Sequence, residues 1–194
     1  MKIATGLLGA CLLLTACSEP RQAAPPTVTV TAPPTLAPAP APAVDPATLG
    51  WLDGFCSAIH DYRKRTGEEA TPGTSEPRSV ADAQKALSEQ LGGIAERTGE
   101  VVDRLTALPP APVPLAEKVR KAFAGKFTTA RDRARDAKTA LDHAKPGDVA
   151  SQDPAAKALT QAQQDVDGMY DPIAPLVESR ELVAAAAVAP GCKA

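Results

Sequence analysis

Apolar residues recur every three or four positions in four stretches of this chain, the spacing that lines one face of a helix. The first stretch runs through Leu49, Leu52, Phe55, Cys56, Ile59 and Tyr62. Asp45-Pro46 stands ahead of it, an N-cap acceptor followed by a proline whose missing N–H costs nothing at the first helical position. Gly67 is expected to stop this helix. Arg63-Lys64-Arg65 suits the negative end of its dipole and reads as capping and solvation rather than as a ligand site. Trp51 lies one step off the stripe and is expected to pack against the C-terminal tail.

Gly67 to Pro77 reads as an exposed loop. Ser79 with Asp82 resembles a capping box, and the second helix follows through Val80, Ala83, Leu87, Leu91, Ile94, Val101, Leu105 and Leu108. Gly92-Gly93 in its middle implies a bend or a close helix crossing. Pro109 to Pro114 forms a stiff corner. A third helix then carries Leu115, Val119, Ala122, Phe123, Phe127, Ala130, Ala134 and Leu141, ending at Lys145-Pro146-Gly147. Asp153-Pro154 repeats the start signal, and Leu159, Ala162, Val166, Met169, Ile173 and Leu176 keep the 3-4 spacing of a bundle seam. Asp171-Pro172 and Pro175 interrupt that seam without shifting its phase, so a kink or restart is expected there, eased by Gly168, before Val183 to Val188 completes the helix.

The fold class this predicts is all-α, an up-down-up-down four-helix bundle with a kinked last helix. Nine basic and four acidic residues between Glu117 and Lys145, against three basic and seven acidic from Pro146 onward, suit neighbouring third and fourth helices of complementary charge. An alanine-rich composition, few aromatics and no asparagine fit closely packed helices and high-GC coding. The net charge of -2 implies no nucleic-acid partner.

The N-terminal part follows a different pattern. Lys2 precedes an apolar run from Ile3 to Leu14, which is followed by small residues and then by polar Ser18-Glu19-Pro20-Arg21. About 12 apolar or small residues fall short of the roughly 20 that span a bilayer, which disfavours the alternative of an uncleaved membrane helix. Leu14-Thr15-Ala16-Cys17 resembles the lipobox of bacterial lipoproteins. The resemblance implies cleavage after residue 16, a diacylglycerol and fatty-acyl modification of Cys17, and a place on the outer face of the cell membrane. Leu8-Gly9-Ala10-Cys11 is a second such string, but its use would strand Leu12-Leu13-Leu14 after the cut. From residue 17 to 45 the chain is mostly Pro, Ala and Thr and is expected to be a disordered linker; about 25 residues in polyproline II reach up to ~80 Å. Thr27, Thr29, Thr31 and Thr35 beside proline are candidate O-glycosylation sites, as they also are in plain linkers. The organisation expected is thus a signal peptide at 1–16, a lipidated linker at 17–45 and a helical domain at 46–194.

With Cys11 removed and Cys17 acylated, Cys56 and Cys192 are left in an oxidising compartment, where two thiols normally pair. Two free buried thiols are the other reading. Pairing would close a loop worth about 5 kcal/mol in the chain-entropy model. The spacing of Trp51 and Cys56 with a Cys near the C-terminus also resembles secreted or lipid-anchored helical proteins of high-GC Gram-positive bacteria, a group that brings the disulfide and the location but no activity.

Reactive constellations are sparse. His60-Asp61 and Asp142-His143 fall on one half of an idealised bundle, so a transition-metal site is conceivable, but no Glu-x-x-His or His-x3-His occurs and surface histidines account for both. There is no Gly-rich phosphate loop and no Gly-x-Ser-x-Gly turn; Ser57, Ser75, Ser79, Ser88, Ser151 and Ser179 lack a histidine at motif spacing, which leaves only a triad assembled in space. No catalytic, cofactor or metal residues are assigned. The expected role is a non-catalytic binding or scaffold module facing an envelope protein or cell-wall component. The alternative is a carrier or sensor of a small apolar ligand, with the Pro172 to Pro175 kink opening its pocket.

Overall fold

Asp45 begins the first helix by accepting hydrogen bonds from the Thr48 backbone N–H at 2.9 Å and the Thr48 hydroxyl at 3.0 Å. The first of these bonds is the main reason its carboxyl lies below the usual carboxylate range. In the computed structural model, which describes residues 44–69 and 76–193, this helix is α1, Pro46–Glu69. The expected signal peptide, Cys17 and the linker as far as Ala43 lie outside the described residues, as does Ala70 to Ser75 of the first loop.

The stripe of α1 is buried as its spacing requires, with Leu52, Phe55, Cys56 and Ile59 fully inaccessible. Trp51 and Ala58, off that stripe, are buried as well. One amphipathic face cannot account for this; α1 is covered on two sides, by α2 (Val80–Ala107) and by the C-terminal elements α5 (Arg180–Ala186) and a 3-10 turn at Pro190–Cys192. Trp51 stacks on Phe55 at 5.1 Å between ring centres. Gly67 does not stop α1, which runs two residues further. Its backbone stays right-handed there, and Arg65 ties the last turns to Glu100 of α2.

Ser79 caps α2 as its sequence predicts, accepting from the Asp82 N–H at 3.1 Å. α1 and α2 run antiparallel, with Arg104 and Asp61 paired at 2.6 Å and Gly54 so close to Leu108 that an added Cβ would lie 2.7 Å from its Cδ2. α2 is continuous through Gly92-Gly93. Gly92 serves a close crossing, since a Cβ there would lie 3.2 Å from the Lys138 stem. α3, Pro114–His143, is antiparallel to α2: Gln84 Nε2 donates to Leu141 O at 3.0 Å at one end, and Arg120 Nη1 to Leu105 O at 3.0 Å at the other.

The last leg departs from the expected kinked helix in two ways. α4 is Val149–Asp165 and starts one turn before Asp153-Pro154. The Pro146-Gly147 turn, with Gly147 at φ 78°, places Asp148 as the cap, and its carboxylate accepts from Ala150 N–H at 3.0 Å. Pro154 then sits inside the helix on an exposed face, where it removes one donor from the ladder. Further on, of the kink or restart expected at Asp171-Pro172, the chain makes the restart. α4 ends at Asp165, Gly168 takes φ 77°, a 3-10 turn forms at Ala174–Leu176, and α5 restarts behind Ser179. Pro172 and Pro175 cannot supply ladder donors, while Asp171 offers the backbone a side-chain acceptor, taking the N–H of Ile173 at 2.9 Å and of Ala174 at 3.2 Å. The seam residues still face inward: Ala162, Val166 and Leu176 are buried and Leu159, Met169 and Ile173 partly so. Among the described residues the fold is a bundle of helices without strands.

The tail closes the domain. Cys192 sits at disulfide distance from Cys56, their Cα atoms 4.9 Å apart. Beside it, Gly191 N–H donates to Asp53 Oδ1 at 2.6 Å and Gly191 O accepts from His60 Nδ1 at 2.8 Å. A Cβ at position 191 would collide with Ser57 Oγ and the Asp53 carbonyl, so only glycine allows this approach.

Two substitutions separate these contributions. C56S/C192S should lower unfolding stability by ~3–5 kcal/mol, and Gly191→Ala, with the disulfide intact, by about 1–3 kcal/mol. Urea titrations followed by the fluorescence of the single tryptophan read both. A G191A midpoint equal to wild type would contradict the close packing of the tail.

Candidate functional site

The break in the last leg leaves part of α3 uncovered. A continuous fourth helix would lay side chains along α3, but the run from Val166 to Glu178 crosses it as turns, and a solvent-open groove of about 880 Å³ lies between the two. Its floor is apolar, with Val119 and Phe123 buried and Leu115 and Met169 partly so. Phe123 also meets Phe55 edge-on at 5.2 Å, which fixes the floor to the core of the domain. Ala122 and Gly125 line the same face, and a Cβ at position 125 would touch nothing within 4 Å. Volume, an apolar lining and a few polar groups at the edge are the ordinary features of a small-molecule pocket.

Three lysines, 118, 121 and 126, stand on the α3 side of the groove, and Asp165, Asp171 and Glu178 on the other. At the beginning of α3, Glu117 takes two hydrogen bonds from Arg120, at 2.9 and 2.7 Å, and an ion pair from Lys121 at 3.3 Å. The Arg120 hydrogen bonds chiefly, with Lys121 behind them, pull the Glu117 carboxyl down to about 2. Because Arg120 also holds Leu105 O, this cluster joins the end of α2 to the start of α3. Across the groove Asp165 is paired with Arg133 at 2.7 Å, the complementary contact expected between the third and fourth helices.

A second, smaller recess of about 320 Å³ lies between α1 and α2 and is bordered by charges. Arg65 of the basic run pairs with Glu100, and Arg63 Nη1 donates to Tyr170 O at 3.3 Å, so the run fastens α1 to its neighbours and does not cap its own helix. Arg97 and Tyr62 are buried here; burial lowers the arginine from its ordinary value and raises the tyrosine.

The two histidines are not brought together. His60 lies near the part of α2 around Arg104, whereas His143 ends α3 near Gln84, twenty residues or about 30 Å further along α2. The expected shared half of the bundle fails because α3 ends where α2 begins, at the opposite end from the middle of α1. His143 Nδ1 donates to Thr139 O at 2.7 Å within its own helix. Among the described residues no three His, Cys, Asp or Glu side chains gather within reach of one metal ion. Ser79 and Ser179 cap helices, Ser88 donates to Asp142, and Ser151 donates to Asp148 O; Ser75 lies outside the described residues.

Residue-by-residue reading missed the set on α1 that receives the tail. Asp53, Ser57 and His60 follow at spacings of four and three around Cys56, so they share a face, and that polar face beside a cysteine was the available signal. Cys56 and Cys192 are brought together as expected, while Cys17 lies outside the described residues. Comparison of the chain with protein-family models, curated proteins and solved structures gave no match.

The depressed Glu117 carboxyl carries a pH dependence of known sign. A carboxyl whose folded value is below its unfolded value of 4.5 contributes stability above 4.5, and that contribution is lost as pH falls toward about 2. Urea midpoints measured from pH 5 to pH 2 should therefore fall less steeply for Glu117→Gln than for wild type. Parallel curves would show that the Arg120 clamp does not hold in solution.

Proposed function

We propose that this chain is a membrane-anchored extracytoplasmic lipoprotein whose helical domain is a non-catalytic binding module. In this reading Cys17 carries the lipid, residues 18 to 45 form the spacer, and residues 46–194 follow an up-down-up-down path whose fourth leg is the segmented run from α4 to the tail. The observation that carries the binding role is the groove between α3 and Val166–Glu178, an apolar recess open to solvent where the chain had the residues for a seam but broke its helix. The disulfide-distance pair at Cys56 and Cys192 supports an oxidising compartment, and the lipobox-like residues support the anchor. Among the described residues no helix is long and apolar enough to cross a membrane. The envelope-scaffold reading and the ligand-carrier reading share the anchor and differ in what occupies the groove; the position of the groove beside Pro175 favours the carrier.

Fractionation with intact-mass analysis tests the anchor. Wild type should pellet with membranes, carrying diacylglycerol and fatty acyl at Cys17, and Cys17→Ser should leave the membrane fraction. An unacylated cytosolic product would remove the basis for the location and for the oxidised pair together.

A further inference from the structure

Given that the groove is a binding face, its charges and dimensions specify an occupant. Lys121 is committed to Glu117, Asp165 to Arg133, and Asp171 to the N–H groups of Ile173 and Ala174. Among the described residues this leaves Lys118 and Lys126 without an ion pair on the α3 wall and Asp171 and Glu178 without one on the facing wall, so the unpaired cations all stand on α3. The apolar floor is also directional. Leu115, Val119, Ala122 and Phe123 all lie on the N-terminal side of Lys126, and polar Thr129 follows it. From Leu115 to Lys126 the helix rises about 16 Å, close to the roughly 15 Å of hydrocarbon in one bilayer leaflet. Lys118 stands partway along this apolar stretch, whereas Lys126 stands at its end, where a charged head group would meet water.

We infer that the groove binds a long-chain fatty acid, with its carboxylate at Lys126 Nζ and its chain running along Val119 and Phe123 toward Leu115. An ammonium group at the end of an apolar trough discriminates this ligand from an uncharged chain of equal length, because only the carboxylate gains the charge-assisted contact. The small Ala122 and Gly125 let the chain approach the α3 backbone closely.

Titration of the purified full chain with palmitate, and in parallel with hexadecanol, tests this. Lys126→Glu should weaken palmitate binding tenfold or more and leave hexadecanol binding unchanged. Gly125→Leu, whose side chain enters open space and so should not disturb folding, should abolish both. Equal palmitate affinity in wild type and K126E, or no saturable palmitate uptake by wild type with native helicity, overturns the assignment. A photocrosslinking residue at position 122, used in intact cells, separates this failure from failure of the binding-module reading. If palmitate does not bind but one defined envelope protein or a second copy of the chain is captured, the ligand is wrong and the binding face stands. If palmitate does not bind and nothing is captured, both fall.

Discussion

The attachment of the C-terminal tail to α1 is the interaction on which the rest of the structure depends. α1 is buried on two sides, and only one of them belongs to the helical bundle; the other is supplied by α5 and Pro190–Cys192. Three contacts hold this cover within one turn of tail. They are the Cys56–Cys192 pair, the bond from Gly191 N–H to Asp53, and the bond from His60 to Gly191 O. Thr48 adds a weaker link near the start of α1, its hydroxyl 3.5 Å from Glu181 Oε1. Without the cover, the face of α1 that carries Asp53, Cys56, Ser57 and His60 would lose its partners. Closing a loop of 136 residues restricts the unfolded chain, so the sulfur link favours the folded state by raising the free energy of the unfolded one.

The tail attachment also permits the break in the last leg. A fourth helix that ran unbroken could hold itself in place by its ladder and its seam. Here Gly168, Pro172 and Pro175 interrupt the ladder, and the segment beyond is short: α5 has 7 residues, too few to be stable alone. Its position comes from Leu182, Ala185 and Ala186 packing inward and from the tail fixed beyond it. The groove on α3 follows from that arrangement, since turns between α4 and α5 cover less of α3 than a helix would.

Much of this was legible in the chain because the signals are local. Asp45 and Ser79 cap helices through donors three residues away, and that geometry is written in the adjacent residues. Helix extents, buried stripes and the antiparallel neighbours of α2 follow from apolar spacing and short connections. Other features were less legible. Asp148 and Asp153 both offer a cap, and the choice of Asp148 is made by the Pro146-Gly147 turn together with the bond of Gly147 N–H to Gln84 Oε1 at 2.7 Å, a partner on α2. The seam from Leu159 to Leu176 predicted burial correctly but not helix. Turns can point the same residues inward, and the penalty of two prolines decides between them. The groove itself is defined by what fails to cover α3, which no spacing on α3 records.

Native-state hydrogen exchange at the Gly191 amide tests the central dependence most directly, because that N–H belongs to the last residues of the chain and is held by the Asp53 carboxylate. In the oxidised protein exchange should be as slow as that of the core amides of α2 and α3, and reduction should remove that protection. Exchange in the oxidised protein at the rate of an exposed terminal peptide would show that the tail is not held against α1.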